Sequence, residues 1–403
     1  MNRYIRMFGM NERGSMAVAA AIIAVPVMLA AGAAIDYLGA YRLRTDLQGA
    51  LDAAALAGAA SESTSEAART AMATEYLHSK PEFAHLKPRV ASEPASVTVS
   101  GSSVYETSLL SLAGINQVPV DVAATAVVIS KPICLLALDK SASNAISIWG
   151  GSARIVANGC VVHANSSDDS AIDNKSSATS IADVFCAVGG YSGSNYDPTP
   201  RRHCRPVTDP YASLAVPSIA GCDYTNAKLT GGTVNIAPGV YCGGLSIGDA
   251  TVSFAPGVYV MKDGPFSVSG SNPVLSGAGT TFYLYGDKST VSITGGSSID
   301  LVAPTEGPYA GLLFVQNPNF GGGATSTITG NSDVRLVGVG YFPTQTLSVG
   351  GTGNFGVNSP YMVFAANEFE FFGNGTITMN FDAAAAGYST PAPKEFWGTR
   401  LTN

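Results

Sequence analysis

The run that begins at Ser15 and ends at Ile35, SMAVAAAIIAVPVMLAAGAAI, contains 21 residues and no charged side chain. At about 1.5 Å rise per residue, a helix of that length matches a hydrocarbon core about 30 Å thick. Within lipid a single segment satisfies its own backbone groups only as a helix, so this stretch fixes both its secondary structure and its solvent. Pro26 removes one hydrogen bond inside the run and predicts a kink, a defect that membrane helices tolerate. A secretory signal peptide cleaved at Ala31-Gly32-Ala33 is the competing reading. Its apolar region would span only about 7–15 residues, so a retained transmembrane helix is preferred. Arg3, Arg6 and Arg13 precede the run against Glu12 alone, which predicts residues 1–14 in the cytoplasm and everything after Asp36 outside.

Helical character continues past the run. Leu43, Leu47, Ala50, Ala54 and Ala57 recur at alternating spacings of four and three, a coiled-coil-like seam in Ala-rich sequence of high helix propensity. Residues 36–62 therefore read as a helical stalk. Its seam packs either on the chain's own globular part or on sister helices in an assembly; the spacing alone leaves both open.

The ordered combination of Arg13-Gly14 before the apolar run, Asp36-Tyr37 at its exit and the helix from Leu47-Gln48 to Ala57 resembles the amino-terminal segment of the TadG-like family of Tad (Flp) pilus assembly. The segment 303–318, APTEGPYAGLLFVQNP, is similar to stretches in the outer portions of such proteins. The resemblance implies a single-pass inner-membrane protein with a periplasmic carboxy-terminal portion, partnered by other Tad pilus-system proteins or pilin subunits. Processed Tad prepilins carry Glu five residues after their Gly, whereas Ala19 occupies that position after Gly14. The resemblance thus implies an anchored or tip-like accessory protein rather than a subunit of the filament shaft.

Between residues 63 and 130 the pattern becomes mixed. A short helix over 64–78, breakers at Pro81, Pro88 and Pro94, and strand-like runs at 96–101 and 118–130 predict a small α+β layer. His78 and His85 read as surface residues.

From 131 to 385, short Val/Ile/Phe/Tyr/Thr runs alternate with Gly/Ser/Asn turns. The segment 232–243, GTVNIAPGVYCG, repeats as 250–261, ATVSFAPGVYVM, at an offset of 18; 291–302 repeats as 326–337 at an offset of 35. Such periods predict a right-handed parallel β-helix, with Val234, Ile236, Val252 and Phe254 pointing inward and stacking, and Cys242 aligned with Val260. A β-sandwich is the runner-up. Residues 386–403 read as a tail. With Lys+Arg 22 and Asp+Glu 29, only 13% of the chain is charged, and stacked ladders rather than ion pairs would hold such a domain. A net charge of −7 and the lack of a basic stripe exclude nucleic-acid binding, which depends on Lys and Arg contacts to phosphate.

All six cysteines, Cys134, Cys160, Cys186, Cys204, Cys222 and Cys242, lie in the repetitive region and predict three disulfides in an oxidising compartment, with sequential pairing favoured. None has zinc spacing; adjacent His203 and Cys204 cannot serve one tetrahedral site, and no metal or cofactor is expected. A β-helix also suits carbohydrate-active enzymes, whose sites need clustered carboxylates. Asp168, Asp169 and Asp173, with His163 nearby, are the best acidic cluster, in a turn-like SSDDSAIDN loop. Arg201, Arg202 and Arg205 are candidates for an anionic ligand, and Gly321-Gly322-Gly323 is a turn rather than a phosphate cradle. The expectation is a non-enzymatic, membrane-anchored component acting in pilus assembly, anchoring or adhesion to a surface glycan or abiotic surface. An exported polysaccharide lyase or hydrolase is the alternative.

Overall fold

The computed structural model describes residues 13–61, 65–93, 95–329, 334–388 and 393–402. Arg3, Arg6, Glu12, Thr64, Pro94 and part of the second repeat, residues 330–333, lie outside the described residues. The chain divides into two compact units, one of residues 1–130 with 396–403, the other of residues 131–395.

In the first unit a helix, α1 (Arg13–Ala59), runs without interruption from the apolar run into the stalk, with Pro26 inside it. From Val18 to Leu29 its apolar side chains are exposed, apart from the half-buried Ala24. A second helix, α2 (Glu66–His78), starts at Ser65, whose side chain accepts the N–H of Ala68 at 3.2 Å. Strands Arg89–Glu93, Ser96–Glu106 and Gln117–Ala137 form an antiparallel meander. Its alternating Val97, Val99, Val120, Val122, Ala124 and Ala126 bury one face against Leu47, Ala50, Leu51, Ala54, Ala55 and Ala59 of α1. The seam of Leu43, Leu47, Ala50, Ala54 and Ala57 is therefore covered from Leu47 to Ala54 within the first unit, by Ala73 and Leu77 of α2 and by Phe83 as well as by the valine face of the sheet. The small alanines let α1 lie close to these neighbours, which bury that stretch inside the unit. Leu43 is half-buried on the same core, and Ala57 lies at its margin.

The carboxy-terminal residues are not a tail. A strand, Lys394–Thr402, returns to the first unit, where Leu401 packs on this core and the Thr402 hydroxyl donates to the Thr125 carbonyl at 3.2 Å.

The second unit is mainly β, and every strand pairing described within it is parallel. A sandwich of hairpin-linked strands would be antiparallel, so the pairing removes the basis for the runner-up architecture. Successive passes of chain stack in register. Thr233–Ile236 pairs with Thr251–Phe254 at the predicted offset of 18, and Ile299 with Val334 at 35. The second half of the first repeat slips by two residues: Val240 lies beside Val260, and Cys242 beside Lys262 rather than Val260. A slip of two preserves which face each side chain points to, so the buried set is unchanged. Val252 and Phe254 are buried as expected, while Val234 and Ile236 are only half-buried, because Thr233–Ile236 is the terminal strand of its column.

The order of passes is not the order of sequence. The column that climbs through Tyr259, Phe282, Phe314, Gly340 and Phe364 continues onto Leu135, then Val162 and Phe185. The first pass thus stacks on the last, and the two arms of the chain grow away from that junction. Residues 205–223 bridge the two outer ends. The Asn165 side chain exchanges two hydrogen bonds with the backbone of Val207, both 2.8 Å. The Tyr341 hydroxyl donates to Asp209 at 2.7 Å, and that of Tyr309 to the Ala215 carbonyl at 2.6 Å. Burial, reinforced by the Asp209 carboxylate, pushes the Tyr341 phenol well above its usual range, so it stays a donor.

Candidate functional site

The first region of interest is the exit of α1. Gly32, Asp36 and Ala40, at helical spacing of four, are buried, while Ile35, Tyr37, Leu38 and Tyr41 are exposed. The Asp36 carboxylate is completely covered and accepts three backbone N–H groups: Ser108 at 2.9 Å, Leu109 at 2.8 Å and Leu110 at 2.6 Å. Those donors open a short 3-10 turn, Leu110–Ala113, at the tip of the hairpin formed by Ser96–Glu106 and Gln117–Ala137. Hydrogen bonds to the charged form hold this carboxyl below its usual range and offset burial, which acts in the opposite direction. Two glycines make the approach possible. A Cβ at Gly32 would stand 2.7 Å from the Leu109 Cβ, and one at Gly39 would overlap the Tyr105 ring.

Asp36→Ala should leave the N–H groups of Ser108, Leu109 and Leu110 without their shared acceptor and loosen the turn they open. The expected result is faster amide exchange at Ser108, Leu109 and Leu110 and easier proteolysis of the tip, measured in detergent micelles. Unchanged protection would show that the carboxylate does not hold the turn.

In the second unit the cysteines are bonded as Cys134–Cys160, Cys186–Cys204 and Cys222–Cys242. The last two pin the two ends of the 205–223 bridge. Arg201, Arg202 and Arg205 are exposed. The Arg202 guanidinium lies over the Tyr191 ring, 4.7 Å from its centroid, and donates to the Tyr191 carbonyl at 3.3 Å. Arg201 bridges Cys186 through its backbone, and His203 is exposed beside them.

The acidic candidates each have their own partners. Asp168 accepts the backbone N–H and hydroxyl of Ser170, at 2.8 and 2.7 Å, which lower its pKa. Asp173 is buried, pairs with Lys175 at 2.7 Å and accepts the Ser192 hydroxyl at 2.7 Å. Asp169 is exposed, and buried His163 lies 3.2 Å from the Asn165 amide oxygen. These contacts make Asp168 a turn former and Asp173 a partner of its neighbouring strand. In the first unit, His78 bonds the Leu86 carbonyl at 2.8 Å and His85 is exposed.

Sequence reasoning missed Asp36 as a buried acceptor, together with its tip. The available signal was a carboxylate directly after an apolar run, with glycines four residues before it and three after.

Residues 14–61 match the family described as putative Flp pilus-assembly TadE/G-like, a match that covers α1 from Gly14 onward and two residues beyond it. No curated protein and no solved structure matches the chain.

Proposed function

We propose that this chain, with its TadE/G-like amino-terminal segment, is a non-enzymatic, single-pass inner-membrane component of a Tad (Flp) pilus system. The observation that carries the proposal is the coincidence of the matched segment with a helix whose apolar surface is exposed over the length of a bilayer. The charge bias of Arg3, Arg6 and Arg13 supports a cytoplasmic amino terminus. The three disulfides support an oxidising compartment, the periplasm or cell surface, for the second unit. We read that unit as a right-handed parallel β-helix. It serves pilus assembly, anchoring or adhesion to a glycan or abiotic surface, alongside other pilus proteins or pilin subunits.

Fractionation of the source cell with mass determination of the mature protein tests this reading. The expected result is an intact amino terminus in a carbonate-resistant inner-membrane fraction, and loss of pilus assembly or surface attachment when the gene is deleted. A mature start at Ser15 in sheared filaments would make it a filament subunit. Recovery only as a soluble protein lacking residues 1–33 would overturn the anchor, and polysaccharide cleavage by the purified chain would overturn the non-enzymatic assignment.

A further inference from the structure

The tip of the hairpin in the first unit is unusually apolar for an exposed turn. Residues 107–120, TSLLSLAGINQVPV, contain no charge. Leu109, Leu112 and Ile115 are 39%, 79% and 48% exposed. This tip does not extend into open space. Leu109 lies against Gly32, inside the uncharged run of α1 and three residues before its end, about 4.5 Å along the helix axis. Its apolar surface is therefore at the depth of residues 32–36 of α1, beside the exposed Ile35, 57% accessible.

Two other features mark this level as a membrane boundary. Tyr37 and Tyr41, one helical turn apart, are exposed just beyond the run, where amphipathic aromatics favour the headgroup region. The one carboxylate at that level, Asp36, is enclosed by the tip's own N–H groups, so placing the tip in the interface does not expose that charge to lipid. Glu106 and Asp121, the first charges on either strand, are exposed farther from the tip.

We propose that the tip, through Leu109, Leu112 and Ile115, inserts into the lipid at the acyl–headgroup boundary on the side where α1 leaves the bilayer. It would be a second, shallow contact beside the spanning helix, of the kind that apolar side chains make about 5–10 Å into an interface. This rests on the reading that residues 15–35 span a bilayer. The Asp36 bonds would then fix the rotation and height of the first unit at the membrane surface.

The test uses the full chain in vesicles of phosphatidylethanolamine and phosphatidylglycerol. Leu112→Trp and, separately, Leu29→Trp are placed in a Trp149→Phe, Trp397→Phe background whose folding is checked by circular dichroism. Leu112→Trp should show blue-shifted emission. Lipids brominated near the headgroup end of the acyl chain should quench most of it, and lipids brominated near the methyl end should quench it much less. Leu29→Trp reports the span and should be quenched by lipid. Quenching of Leu29→Trp with unquenched, water-like emission from Leu112→Trp overturns the tip insertion while leaving the anchor standing, including the case in which a pilus protein covers the tip. Absence of quenching at both positions overturns the span itself and the insertion with it.

Discussion

Phe282→Ala should lower the stability of the second unit by about 3–5 kcal/mol, the range for removing a fully buried aromatic ring. Phe282 has no exposed surface and is central to an aromatic column. Its ring centroid lies 4.4 Å from Phe266, 5.1 Å from Phe254, 5.4 Å from Tyr259 and 5.6 Å from Phe314. These rings come from successive passes, so deleting one removes contacts above, below and to the side. Close-packed neighbours cannot collapse into the space without breaking the parallel register that holds them. The measurement is a urea unfolding midpoint with tyrosine and tryptophan fluorescence. Val274→Ala, an exposed position on a neighbouring strand, serves as the control and should stay within about 0.5 kcal/mol of the parent. A similarly small effect for Phe282→Ala would mean that the column does not hold the stack together.

The second large effect is expected from Cys134→Ala with Cys160→Ala. The bond closes 26 residues of chain, and the loop-entropy relation gives about 3.5 kcal/mol for that length. Position adds to it. Cys134 lies on the strand in which Leu135 pairs with Phe364 on one side and Val162 on the other, the junction between the first and last passes. Loosening this strand opens the middle of the stack rather than an end. The Cys222–Cys242 bond closes a loop of similar length, 20 residues, yet Cys222→Ala with Cys242→Ala should cost less, because the Tyr224–Leu229 strand that the bond secures is terminal and can fray locally. Chemical denaturation of both double variants checks the order. Equal losses would show that loop entropy alone governs these bonds, whatever their place in the stack.

Several elements were legible because their cause is local. An uncharged run of bilayer length can only be a helix in lipid, and α1 covers it. The offsets of 18 and 35 reappear as strand registers, since parallel stacking brings identical side chains together. Sequential disulfides agree with the same stacking: Cys134–Cys160 joins adjacent passes, and Cys186–Cys204 and Cys222–Cys242 each tie one end of the 205–223 segment to the pass beside it. The acidic cluster was less legible: its spacing is that of a site, but Asp168 turns toward Ser170 and Asp173 toward Lys175 and Ser192.

What the sequence by itself determined is therefore periodic or compositional: the apolar helix, the mainly-β texture, the repeat lengths and the TadE/G-like segment. Tertiary structure alone decided which partner each surface takes. It buried Leu47 to Ala54 among α2, Phe83 and the valine face of the meander, a cover that the heptad spacing left open. It stacked the first pass on the last, a pairing across more than two hundred residues that no local pattern encodes. It also enclosed Asp36 with the backbone of residues 108–110, turning a charge at the end of an apolar run into a fixed joint. The physical reason is common to all three. A side chain's periodicity announces that a face must be covered, while the identity of its cover depends on backbone donors and apolar surfaces brought together only when distant segments meet.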